Sequence, residues 1–288
     1  MEEVTHIPVE RRAESASTEE SRGELRLHEF PSKVFRNTRM LRVWLPPGYE
    51  APENQLRRYP VLYLNDGQNL FDPATAFTGI AWGVGDTADR LIREGTIPPL
   101  IVVGMDHARS DRMKEYLPYR SLSPAILFPQ GKHYPSFLVR EVMPFVSQRY
   151  RIAPGPENTG LGGSSLGALI SLYTVIARPG IVSRLLLESP SLFVSKSRIF
   201  ERSRASRHWP ERVFLAIGTR EDGREDKDRQ VVEDVRRLEE IIRKARSNET
   251  CLQVRIDEGA THGETAWANR FPQALKFLFG KDCEGQSR

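Results

Sequence analysis

Cysteine, long apolar runs and concentrated charge are all scarce in this chain of 288 residues. Its only two cysteines, Cys251 and Cys283, stand far from any CxxC spacing, which argues against a disulfide scaffold and a cysteine-built zinc site. No apolar stretch approaches the roughly 20 residues needed to cross a bilayer. The first residues, Met1 to Gly23, are rich in Glu, Arg, Ser and Thr and lack the apolar centre of a secretory leader. Net charge is only +4 and is spread along the chain, whereas a nucleic-acid binder concentrates its basic residues in a stripe. These absences point to a cytoplasmic protein with neither a nucleic-acid nor a membrane partner.

What is present is an ordinary globular composition, 39% hydrophobic and 28% charged, enough to bury one large α/β core. Residues 1–23 have no periodicity and are expected to form a disordered polar extension, with a polar tail at 282–288. Between them, 24–281 reads as a single domain. Leu25–Phe30 and Met40–Leu45 alternate like half-buried strands. The continuous apolar runs Pro60–Leu64, Leu100–Gly104, Leu185–Leu187 and Val213–Ile217 suit parallel strands covered on both faces. Asn158–Gly162 is a further short strand, and Leu252–Ile256 alternates as one nearer an edge. Helical patterns fall between them at Gly85–Glu94, Phe137–Tyr150 with Pro144 bending it, Leu166–Ala177, Asp226–Arg246 and Thr265–Phe279. This β-then-α order implies a mostly parallel sheet with helices on both faces. Residues 107–135 show no clear element and carry several aromatics, as functional loops often do.

Gly163-Ser164-Ser165-Leu166-Gly167 matches G-x-S-x-G at an expected strand-to-helix turn. That context carries the chemistry, because a serine on such a turn is lifted over the sheet edge and only glycine neighbours avoid clashes. Ser164 competes, but only Ser165 has the flanking glycines in register. A serine hydroxyl needs a base, and the base needs a carboxylate to orient it. Of the six histidines, His262 follows the last strand in a small-residue loop, while His107 and His133 precede the serine and so stand in the wrong order. The acid is expected after Val213–Ile217, where Glu221 and Asp222 are adjacent. Glu221, at the tightest part of the turn, is favoured, with Asp222 as the alternative and Glu188 a distant third. Two backbone N–H groups should receive the oxyanion. Leu166 supplies one, and Gln68 in Asn65-Asp66-Gly67-Gln68-Asn69 the other.

Tyr63–Asp72, Arg112 with Glu115-Tyr116, Gly162–Gly167 and His262-Gly263-Glu264 with Trp267 together resemble the "putative esterase" group of α/β-hydrolases. That group includes esterase D-like enzymes, feruloyl and acetyl-xylan esterases, enterochelin esterases and mycolyltransferases. The likeness spans about residues 25–280. It implies an α/β-hydrolase fold, a Ser165–His262–carboxylate triad, no metal and no organic cofactor. Ala168 departs from the glycine that many relatives carry there, a change a helix tolerates. The chain is short for the extra N-terminal domain common in enterochelin esterases. The 107–135 loop is expected to line a pocket, with Asp66, Asn69, Arg112, Glu115 and Tyr116 as substrate contacts, although Arg112 paired to Glu115 as a brace is equally compatible. The expected activity is hydrolysis of a small or medium soluble ester, acetyl, feruloyl or similar, through an acyl-enzyme. Two other readings keep the fold: an acyltransferase, separable by product analysis with an added alcohol, and a binding module that a fluorophosphonate would not label. Oligomeric state is left open.

Overall fold

The computed structural model describes residues 22–122, 125–194, 198–245 and 250–281. All but the last two residues of the expected extension 1–23, and the tail 282–288, lie outside them. Gly23 is tied in, its N–H donating to Asp89 at 3.0 Å.

The chain opens with two antiparallel strands, β1 (Glu24–Ser32) and β2 (Asn37–Leu45), then enters the sheet centre with β3 (Val61–Asn65). Helix α1 (Val84–Arg93) returns it to β4 (Ile101–Met105). The segment expected to be structureless is instead divided into short pieces: α2 (Arg112–Tyr116) and a two-rung hairpin of β5 (Ser121–Leu122) and β6 (Ala125–Ile126). A long helix follows, made of α3 (Tyr134–Phe137), a π-turn (Leu138–Val142) and α4 (Met143–Arg149). The π-turn lies just before Pro144, whose ring and missing N–H prevent ordinary helical hydrogen bonding. Beyond it the chain runs through β7 (Thr159–Ser164), α5 (Leu166–Ala177), β8 (Arg184–Glu188), α6 (Arg198–Ala205), β9 (Arg212–Arg220), α7 (Glu225–Lys244), β10 (Cys251–Thr261) and α8 (Glu264–Phe279). Cys251 is disulfide-bonded, a single tie at the head of an edge strand.

Eight strands form one sheet in the order β1-β2-β4-β3-β7-β8-β9-β10, parallel from β4 to β10. Alternate residues of each strand serve opposite faces. Val61, Tyr63, Leu161, Leu185, Leu187 and Leu215 join the core beneath α3 to α7, whereas Leu62, Leu64, Leu186 and Phe214 join the core beneath α1 and α8. Burial on both faces explains why the central strands read as unbroken apolar runs. After β3 the chain moves to β4 on one side, then crosses back to β7 on the other. The order therefore reverses between β3 and β7, and a crevice opens there beyond the carboxyl ends of the strands.

Candidate active site

Strand β7 is unusually thin. A methyl group on Gly162 would lie 2.5 Å from Leu186 Cβ, and one on Gly163 or Gly167 would lie 3.0 Å from Asn65 Cβ. These glycines let β3, β7 and the first turn of α5 close together. Buried Asn65 staples the join, its amide donating to Gly162 O, Gly167 O and Ser171 Oγ at 3.2, 3.0 and 2.9 Å. Ser165 stands between β7 and α5 with φ +55° and ψ −122°, a conformation L-residues rarely adopt and one that raises its side chain over the sheet edge. Its N–H donates to Glu188 O at 2.9 Å, and its carbonyl accepts from Ser191 N–H at 3.2 Å. Ser164, the competitor, is buried within β7.

The base and acid candidates meet through the two strands beyond. Near the end of strand β9 stands Gly218, where a methyl group would lie 2.1 Å from Ala260 O. That close approach coincides with a register shift in β10 between Asp257 and Thr261. The irregularity, with Gly259 at φ +73°, leads the chain to His262 at the sheet edge. His262 Nδ1 is paired with Glu221 Oε2. The other carboxylate oxygen of Glu221 accepts from Gly218 N–H at 2.7 Å and from Ser189 Oγ at 2.8 Å. Burial pushes the Glu221 carboxyl up, but His262, Gly218 and Ser189 outweigh it and hold the group below the ordinary carboxylate range.

Asp222 also borders the cleft of Ser165 and His262, but it is exposed and paired with Lys227 at 3.2 Å and Arg224 at 3.8 Å. Glu188 is fully buried and bound to Arg270 at 2.7 Å, away from the imidazole. Ser165, Glu221 and His262 line one cleft of about 500 Å³ with Pro190, Phe193 and Val231. Within it, the hydrogen-bond neighbour of Ser165 Oγ among the described residues is Ser191 Oγ at 3.2 Å; no hydrogen bond joins Ser165 to His262.

On the far side of Ser165, the loop after β3 bends sharply through Asp66, at φ +58°. Gly67 is needed there, because a methyl group would lie 2.6 Å from the carbonyl carbon of Gly104. The turn's own hydrogen bonds run from Asn69 N–H to Asp66 O and from Leu70 N–H to Gly67 O, at 2.9 and 3.2 Å. Gln68 N–H has no acceptor among the described residues, and Leu166 N–H, in the first turn of α5, has no intrahelical one.

The expected substrate contacts fare differently. Arg112 pairs with Asp66 rather than Glu115, in a fork of 2.7 and 2.8 Å. Glu115 is buried against Arg39 at 2.9 Å, and Tyr116 is equally buried, its hydroxyl accepting from Asp66 N–H at 3.4 Å. Asn69 Oδ1 accepts from Phe77 N–H at 3.0 Å. Glu115 and Tyr116 thus serve the core beneath the loop. His107, set aside by chain order, lies beside Gln68, its N–H donating to Gln68 Oε1 at 3.3 Å. Burial lowers its basicity. Sequence reasoning missed Ser189 and Ser191, although Ser189-Pro190-Ser191 directly follows an apolar strand run in the half of the sheet where ligands bind. It also missed Arg270, whose charge inside an apolar helix was the available signal.

Among the described residues no group of three or more His, Cys, Asp or Glu is arranged to hold a metal ion, and no helix is long and apolar enough to cross a membrane.

The sheet order, the strained strand-to-helix serine and the crevice beside it define an α/β-hydrolase. The "Putative esterase" family model matches residues 32–278, and the chain belongs to that family. It is a carboxylic ester hydrolase. Uncharacterized protein YbbA of Bacillus subtilis (strain 168) is 24% identical over 267 residues, covering 91% of this chain and 98% of that one. The siderophore hydrolase EstB of Aspergillus nidulans superposes with a TM-score of 0.69 at 16% identity, covering 96% of this chain and 98% of that one. The ferulic acid esterase AmCE1/Fae1A of Anaeromyces mucronatus does so with a TM-score of 0.63 at 21% identity, covering 95% and 96%. At such identities these structures share the fold with this chain.

Proposed function

We propose that the protein hydrolyses a small or medium soluble ester through an acyl-enzyme on Ser165, with His262 as general base and Glu221 as the orienting acid. The observation that carries this reading is the pairing of His262 Nδ1 with Glu221 in the same cleft as the strained Ser165. With Nδ1 held by the carboxylate, Nε2 is the free lone pair of the neutral ring. Rotation of the Ser165 hydroxyl from Ser191 to that nitrogen starts the reaction. As Oγ attacks the ester carbonyl, the imidazole takes its proton and the carbonyl oxygen becomes an oxyanion. The N–H groups of Gln68 and Leu166 receive that charge, the latter at the positive end of α5. The imidazolium then protonates the departing alcohol. Water, deprotonated by the same ring, attacks the acyl-serine and regenerates the enzyme.

The cleft supports a compact acyl group. Pro190, Phe193, Ile217 and Val231 offer apolar walls, and Lys227 and Gln230 a polar border, which suits acetyl to aryl acids such as feruloyl. Hydrolysis of p-nitrophenyl acetate, butyrate and octanoate and of methyl ferulate by wild type and Ser165→Ala tests the proposal. Loss of at least about 10³-fold in the variant, with its fold intact, is the expected result. Equal rates in the two proteins would exclude Ser165 as nucleophile.

A further inference from the structure

Ser189 immediately follows β8 and lines the cleft with Ser165, and its hydroxyl makes three hydrogen bonds, none of them to Ser165. It accepts from Trp267 Nε1 at 3.0 Å and from Arg270 Nη2 at 3.2 Å, and it donates to Glu221 Oε1 at 2.8 Å. A hydroxyl has two lone pairs and one proton. Indole and guanidinium nitrogens can only donate, so they occupy both lone pairs. The proton is left with one destination, Glu221, and a group receiving it there must present a bare oxygen.

The partners are themselves fixed. Arg270 is fully buried, held by Glu188 at 2.7 Å and faced by Asp257 at 3.6 Å. The Trp267 ring meets His262 edge-on, with centroids 5.0 Å apart. Both donors lie on α8, the helix that begins two residues after His262, at positions three apart and so on one face. Ser189 N–H is bonded to Ala216 O at 2.8 Å, and its φ of +43° is unusual for a residue with a side chain. Such conformations persist only where the surroundings over-determine them.

We propose that Ser189 is a positioning residue for the reaction: with its lone pairs filled from α8, its proton pins one oxygen of Glu221, so that the other faces His262 and keeps the imidazole proton on Nδ1. This rests on the triad reading above. It adds a role for α8, which delivers His262 and also locks the acid opposite it.

The test compares wild type, Ser189→Ala and Ser189→Gly in p-nitrophenyl butyrate hydrolysis, with rates normalised to sites titrated by a fluorophosphonate. Glycine accepts positive φ freely, so it removes the hydroxyl while easing the backbone. Both variants are expected to lose about tenfold in kcat, in the range for lost outer-shell hydrogen bonds, with KM unchanged. The acid limb of kcat/KM should move to lower pH, because a loosened Glu221 stabilises the imidazolium less. A purely structural role would lower the titrated fraction and the melting temperature but leave kcat per site and the limb in place, and that result would overturn the proposal. Trp267→Phe, which keeps an aromatic ring beside His262 and frees one lone pair, should shift the limb in the same direction by less. If neither Ser189 variant folds, a stationary or opposite limb in Trp267→Phe decides against it. Activity surviving in Ser165→Ala would instead overturn the triad reading itself.

Discussion

The two flanks of Ser165 are built on different plans. Toward β9 and β10, side chains bond one another in a continuous line that ends on the proposed reacting groups: Arg270 to Ser189, Ser189 to Glu221, Glu221 to His262. Toward β3 and β4, the charged side chains bond each other instead, Asp66 with Arg112, Asp106 with Arg42 and Glu115 with Arg39. There the loop leaves Gln68 N–H without an acceptor among the described residues. The contrast teaches how the same sheet edge can hold opposite charges near one serine. On the proposed mechanism a carboxylate is wanted beside the imidazole, whereas a bare Asp66 next to the Gln68 turn would oppose an oxyanion received there. Its guanidinium fork, closed at 2.7 and 2.8 Å, cancels that field.

The comparison can be broken most severely on the side-chain flank. Glu221→Gln should lower kcat by on the order of 10³-fold while leaving the cleft's shape intact, because the amide can no longer hold the imidazole in the required tautomer. Steady-state kinetics on p-nitrophenyl butyrate would check it, and a loss below tenfold would move the acid elsewhere. The next largest effect is on stability. Arg39→Met leaves Glu115 buried without its cation, which typically costs about 3–5 kcal/mol, read as a lower urea midpoint. If the midpoint held, the ion pairs beneath the loop would not be what supports it.

Smaller changes sharpen the distinction. The lowered carboxyl of Glu221 contributes stability that is present above its unfolded value and is lost as pH falls through its folded one. The stability gap between wild type and Glu221→Gln should therefore narrow as pH falls below about 4. Urea titrations across that range would expose a gap that widened instead. On the backbone flank, Gln68→Ala keeps the N–H and should change kcat by no more than about threefold, far less than loss of a true oxyanion donor. Asp222→Asn, at an exposed side chain paired with Arg224 and Lys227, should leave kcat within about twofold and cost almost no stability.

Much of this architecture is legible in residue order. The helix expected at Leu166–Ala177 is α5 residue for residue, because the G-x-S-x-G turn starts it and Arg178-Pro179-Gly180 stops it. The buried strands announce themselves as apolar runs, and β10 as an alternating one. Short elements do not. Helix α6 carries three arginines and a glutamate around Ile199 and Phe200, too little apolar surface for a periodic signal. Helix α2 exists because Glu115 and Tyr116 are buried from other directions, by Arg39 and by the turn of Asp66. At the site, Glu221 and Asp222 are neighbours in sequence, and only the Gly218 turn distinguishes which faces the imidazole. Ser189 and Arg270 stand 81 residues apart, so their meeting belongs to the sheet order and to no local pattern.

Helix α8 also sets the timing of the enzyme's assembly. It is the final helix of the described chain, and its Phe271, Leu275 and Leu278 are fully buried. Arg184 and Arg212, at the starts of β8 and β9, close its far end by donating to Leu278 O at 2.7 Å and Phe277 O at 2.8 Å. During synthesis Ser165 leaves the ribosome first, Glu221 later and His262 later still, the order in which the proposed nucleophile, acid and base stand in the chain. The growing polypeptide thus carries a strained serine without its proposed base until α8 docks. On the proposed triad, hydrolytic power waits for α8 to dock, and a message cut short before codon 262 yields a raised serine without its base.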